Sequence, residues 1–137
     1  MSLPGVCVVF LLRRGPQGAE VLLGRKRTGL GQGKVVGICG WVDPGEGADE
    51  AAVREARESV GVRVAASDLQ VAGTVEYHFP TRRAWSQQAT VFVCRRWQGD
   101  PVERDGMTPQ WYGLDAVPYA RMWDDASRWL PGVLRGG

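Results

Sequence analysis

The sequence has one histidine, three cysteines and no apolar run approaching the roughly 18 to 20 residues a membrane-spanning helix requires. The last absence argues against a membrane partner and for a soluble protein. The cysteines, Cys7, Cys39 and Cys94, each lie inside an apolar run, are odd in number and show no paired metal-type spacing. They read as buried free thiols rather than a disulfide framework or a zinc site. The single histidine, His78, falls in an expected strand with no acidic or nucleophilic partner near it in sequence, so a structural or surface role fits it better than a catalytic one. Charge of either sign is also scarce in excess. Seventeen Lys and Arg against fifteen Asp and Glu leave a net charge of +2, and the basic residues form short clusters rather than one tract. This excludes a nucleic-acid polymer as the expected partner and leaves a small anionic ligand open. The apolar opening "MSLPGVCVVFLL" has no basic segment before it and no small-residue cleavage site. It reads as a first strand, with the cytoplasm as the expected compartment.

What is present suits a single domain over residues 1–137, without internal repeat, linker or low-complexity tract. "VCVVFLL" and "AEVLLGRK" predict two strands in hairpin succession around the turn sequence "RRGPQG", and "TGLGQGKVVG" reads as a glycine-rich loop. A short apolar run over Ile38 to Val42 precedes the turn "DPGEG". Ala48 to Val60 predicts a helix: it contains no Pro or Gly until Gly61, which suits the position just past a helix end, and Asp49 and Glu50 fall in its first turn. "LQVAGTVEYHF" and "SQQATVFVCRRW" predict two further strands joined by "PTRRAW", "TPQWYGL" a shorter one, and "WDDASRWLPGVL" a second helix interrupted or ended near Pro131. Strands on both sides of a helix, with a second helix at the end, give an α+β class with a mixed-sheet sandwich.

On the first helix Glu55, Glu58 and Ser59 share one face, with Arg54 and Arg57 beside them. Two carboxylates so placed repel each other, which a divalent cation would reverse. Oxygen ligands of this kind suit Mg²⁺, which takes one or two carboxylates together with substrate phosphates. A solvated acidic face balanced by the two arginines is the competing reading.

The spacing around that helix, Gly40, five residues, Glu46, seven residues, then "REARESVGV", resembles the Nudix box over 40–62. Gly40, Glu46, Arg54, Glu55, Glu58 and Gly61 match, with Ala56 and Val62 in the apolar slots. The resemblance implies a Nudix-type α/β/α sandwich whose box holds Mg²⁺ or Mn²⁺ against a diphosphate while water attacks phosphorus. It implies that Glu55 and Glu58 are metal ligands, that Gly40 offers its carbonyl to the metal, and that Arg54 orients the acids by pairing with Glu46. One position departs from the pattern: Ser59 stands where the box has its second consecutive glutamate. A hydroxyl cannot supply that charge, so the metal site is altered, and Glu103 or Asp105 in "PVERDGM" is a candidate compensating acid or simply part of a polar turn.

"VLLGRKRTGLGQGK" and "MTPQWYGLDAVPYARMWDDASRWLP" further resemble MutT-like Nudix enzymes that hydrolyse oxidised purine nucleoside triphosphates to monophosphate and pyrophosphate. This implies a small nucleotide as partner, with Trp123 stacking on a base and Asp124 or Asp125 bonding its edge; the alternative is that Trp123 joins a core stripe and the aspartates cap the last helix. Lys26, with Arg25, Arg27 and Lys34, either neutralises a phosphate tail or is a solvated strand-edge charge. Val36, Ala126 and Gly106 replace a purine-reading asparagine, an aspartate and a late-loop glutamate of the mammalian enzymes. The readings carried forward are a metal-dependent nucleotide pyrophosphohydrolase, as monomer or homodimer, and a Nudix-fold nucleotide-binding or interaction protein with little or no hydrolysis.

Overall fold

A continuous apolar run can bury both faces of a strand, and "VCVVFLL" does so. In the computed structural model, which describes residues 5–16, 18–27, 32–77, 87–104, 107–122 and 126–134, it forms the body of β1 (Gly5–Gly15). Cys7, Val9 and Leu11 belong to one core cluster, Phe10 and Leu12 to another, and all are buried. Burial of alternate residues on opposite faces places β1 at the centre of a sheet covered on both sides. It runs parallel to β6 (Gln87–Cys94), which pairs antiparallel with β5 (Leu69–Tyr77). On its other edge β1 changes partner: Val6 to Val9 pair with β4 (Ile38–Trp41), and Leu12 to Gly15 with β2 (Gly18–Lys26). β2 also pairs with β7 (Met107–Gly113).

The first helix, α1 (Ala48–Val60), lies on the face of Cys7, Val9 and Leu11, burying Ala51, Ala52, Ala56 and Val60. Its alanines keep the helix close to the strands. The Glu50 carboxylate accepts the Gly47 N–H at its start, and Gly61, at φ 76°, turns its end so that the Gly61 and Val62 N–H groups bond the carbonyls of Arg57 and Ala56. The second helix, α2 (Ala126–Leu134), covers the opposite face with Ala126, Leu130 and Leu134. The result is the expected α/β/α sandwich around a mixed sheet.

Two local expectations are corrected. The stretch read as a loop up to Gly37 contains a short strand, β3 (Val35–Val36), because pairing with Gly24 and Arg25 of β2 buries both valines. The last helix continues through Pro131 to Leu134. Proline removes one N–H there, but Leu130 and Leu134 on either side of it are buried, and each buried leucine contributes about 1.5–3 kcal/mol against that loss. The "PTRRAW" connection and His78 lie outside the described residues.

Candidate active site

The register Cys7↔Gly40 between β1 and β4 sets Gly40 on the face that α1 covers. A Cβ at Gly40 would run into the Glu55 carboxyl group. As glycine, residue 40 lets the Glu55 carboxyl group lie against the strand; any larger side chain would make it move.

Arg54 organises the rest. Its Nε and Nη2 donate to the two oxygens of Glu46, each at 3.0 Å, as a two-pronged clamp. Its Nη1 donates to Glu55 Oε1 at 2.8 Å and to Glu58 Oε2 at 3.3 Å, and Nη2 also donates to the Trp41 carbonyl at 2.9 Å. All five guanidinium N–H groups therefore have acceptors, drawn from the β4 end, the turn and the helix. Asp43 adds a longer ion pair at 3.6 Å and its N–H donates to Glu46 Oε1 at 3.0 Å. Ser59, only 8% exposed, donates its hydroxyl to Glu55 Oε2 at 3.3 Å. Both Glu55 oxygens are thus held, whereas the Glu58 side chain is 45% exposed and open to solvent on one side.

The electrostatics differ between the acids. The Arg54 clamp, helped by the Asp43 N–H, holds the Glu46 carboxyl below the usual carboxylate range. Burial pushes Glu55 up, against the pull of Arg54, and the carboxylates raise Arg54 further above its ordinary value. Burial, then Glu55, pushes the Cys7 thiol up to about 12, so it is protonated and inert beside the site. The Glu46 shift makes a testable statement about acid stability. A carboxyl whose pKa is lowered on folding adds stability that is present above its unfolded pKa and lost as pH falls through its folded one. Urea unfolding followed from neutral pH to below the ordinary carboxylate range should show a smaller acid loss for Glu46→Gln than for the unsubstituted protein, and equal slopes would remove Glu46 from the account.

Among the described residues no three His, Cys, Asp or Glu side chains form a metal cage by themselves. Two carboxylates on one helix face, beside a glycine strand that leaves space for them, nevertheless fit Mg²⁺ or a similar hard cation, because such ions keep several waters and complete their shell with phosphate.

The structure thus brings Gly40, Glu46, Arg54, Glu55, Glu58 and Ser59 together. Lys26 ends β2 on the same face, two and four residues from Gly24 and from the buried Leu22. Glu103 is ion-paired with Arg27, next to Val102, whose N–H bonds the Val60 carbonyl at the end of α1. Asp105, Gly106, Trp123, Asp124 and Asp125 lie outside the described residues. Sequence reasoning paired Arg54 with Glu46 but missed its bonds to Glu55, Glu58 and Trp41. The four-residue spacings Arg54 to Glu58 and Glu55 to Ser59 carried part of that signal; the Trp41 carbonyl left none.

Comparison with known proteins adds to this geometry. The NUDIX domain matches residues 1–133. The chain is 35% identical over 119 residues to the oxidized purine nucleoside triphosphate hydrolase of Danio rerio, covering 87% of this chain and 74% of the relative. The enzyme of the same description from Mus musculus is 34% identical over the same coverage. Among solved structures, a MutT NUDIX hydrolase from Burkholderia pseudomallei superposes with a TM-score of 0.73 at 21% identity, covering 84% of this chain and 86% of that one. With its helix-borne acids latched by one arginine beneath a strand glycine, and the NUDIX domain matched over residues 1–133, the chain belongs to the Nudix hydrolase family.

Proposed function

We propose that the protein is a divalent-metal-dependent nucleotide pyrophosphohydrolase that cleaves nucleoside triphosphates, oxidised purines among them, to monophosphate and pyrophosphate. The observation that carries the reading is Arg54 holding Glu55 and Glu58 side by side next to Gly40. The substrate class is supported by the similarity to the oxidized purine nucleoside triphosphate hydrolases of Danio rerio and Mus musculus.

In this reading Glu55, Glu58 and the Gly40 carbonyl would hold Mg²⁺ or Mn²⁺. The ion, when bound, supplies charge neutralisation and Lewis-acid polarisation at the phosphates. Arg54 keeps both acids in one orientation, so that little reorganisation is needed when substrate arrives. Lys26, at the end of β2, would provide a point charge for the phosphate tail. Ser59 makes the site weaker in negative charge than the full box, since its hydroxyl can only share hydrogen bonds with Glu55. Val36 and Ala126, where the resemblance implies purine-reading groups, carry no hydrogen-bonding side chain, so discrimination between oxidised and ordinary purines would be broad.

The test is pyrophosphate release from oxidised and unoxidised nucleoside triphosphates, with and without Mg²⁺ or Mn²⁺. Metal-dependent release is expected, and Glu55→Gln should lower it by on the order of 100-fold, about 2.7 kcal/mol in activation free energy, with the fold intact by circular dichroism. Absence of release with every substrate and metal, or a Glu55→Gln variant as active as the parent, would refute the reading.

A further inference from the structure

At the opposite end of β1 from Gly40 lies a cavity of about 350 Å³ lined by Leu12, Arg13, Arg14, Ala19, Arg95, Leu114 and Leu134. Its volume is at the lower end of the roughly 300–1,000 Å³ typical of small-molecule sites. Cys7 is opposite Gly40, and Arg14 is seven residues further along the strand, about 20 Å at the rise of an extended chain. Leu12, Leu114 and Leu134 belong to or pack on the α2-side core, whereas Glu55 is on the α1 side. This cavity is therefore separate from the acid cluster in both distance and sheet face.

Its chemistry is amphipathic. Leucines and an alanine supply apolar wall, and three guanidinium groups are present. Arg13 is neutralised by Glu20 at 2.8 Å and lies 3.9 Å above the Trp111 ring. Arg95 donates to the neutral Gln70 Oε1 at 2.7 Å, and Arg14 has no ion-pair partner among the described residues. Asp115, next to Leu114, is exposed and likewise unpaired among the described residues. Arg13 and Glu20 cancel, and Arg14 and Arg95 against Asp115 leave an excess of one positive charge around an apolar wall. A neutral apolar ligand would leave the unpaired arginines without a counterion, and inorganic phosphate would leave the accessible apolar surface of Leu114 and Ala19 uncovered. We infer that this cavity is a second ligand site, for a small amphiphilic anion: a carboxylate or phosphate carried on a short acyl or aryl body.

Octanoate is the probe, with 1-octanol and inorganic phosphate as its apolar and anionic halves, and binding to the full chain is read by calorimetry. Saturable binding of octanoate is expected, at least tenfold tighter than either control. Amide shifts should map it to Leu12, Arg14, Arg95 and Leu114. Arg14→Gln with Arg95→Gln should weaken it at least tenfold while leaving metal-dependent turnover unchanged, and Glu55→Gln should bind octanoate like the parent, so that failure of the hydrolase reading and failure of this one are distinguishable. No saturable binding, shifts confined to other residues, or equal affinity in the doubly substituted protein would overturn it.

Discussion

Arg54→Ala is expected to reduce metal-dependent turnover by at least about 100-fold and to destabilise the fold by about 2 kcal/mol. The guanidinium serves Glu46, Glu55, Glu58 and the Trp41 carbonyl at once. Alanine would leave Glu55 and Glu58 to repel each other on one helix face, and would release the turn that carries Glu46. The side chains of Glu46 and Glu55 are 17% and 15% exposed, so water can reach them in part, and the stability loss stays below that of a fully buried broken pair. Arg54→Lys should rescue little, because an ammonium has three donors and no planar fork for Glu46. Turnover at saturating metal and urea unfolding measure the two effects. An Arg54→Ala protein with parental turnover would show that the acids orient themselves without the latch.

Ser59→Glu is expected to act with opposite signs in the absence and presence of metal. Ser59 is 8% exposed and bonded to Glu55, which burial already makes harder to ionise. A third carboxylate there adds repulsion and desolvation, so in a chelator the thermal midpoint should fall by several degrees, equivalent to about 1–2 kcal/mol. With Mg²⁺ or Mn²⁺ the added ligand charge offsets that cost. The metal concentration for half-maximal turnover should drop at least tenfold, with turnover rising. Ser59→Ala removes one neutral-donor hydrogen bond and should change stability by no more than about 1 kcal/mol. If Ser59→Glu shifts neither the midpoint in chelator nor the metal requirement, the serine does not face the metal side of Glu55.

The elements that were legible in sequence are those whose signals are local. Ala48 to Val60 has acids in its first turn and glycine just beyond its end, and α1 has those bounds. The hairpin of β1 and β2 follows from two apolar runs around Gly15, Pro16 and Gly18. β3 was not legible, because two valines become a strand only when β2 offers hydrogen bonds to them. The continuation of α2 past Pro131 was not legible either, since the penalty of proline is local and the burial of Leu134 that offsets it is not.

The candidate site divides in the same way. By itself the sequence determined that Glu55, Glu58 and Ser59 share a helix face, because the helical period depends on backbone geometry alone. Spacing and resemblance also marked Gly40, Glu46 and Arg54 as their companions. Only the tertiary structure decided which part of that face turns inward, burying Ser59 and leaving Glu58 half open, because this depends on how α1 rolls against β1 and β4. It also decided that a single guanidinium joins strand, turn and helix, since the Trp41 carbonyl and the four acceptor carboxylate oxygens come within hydrogen-bond reach of Arg54 only after the sheet and helix have packed.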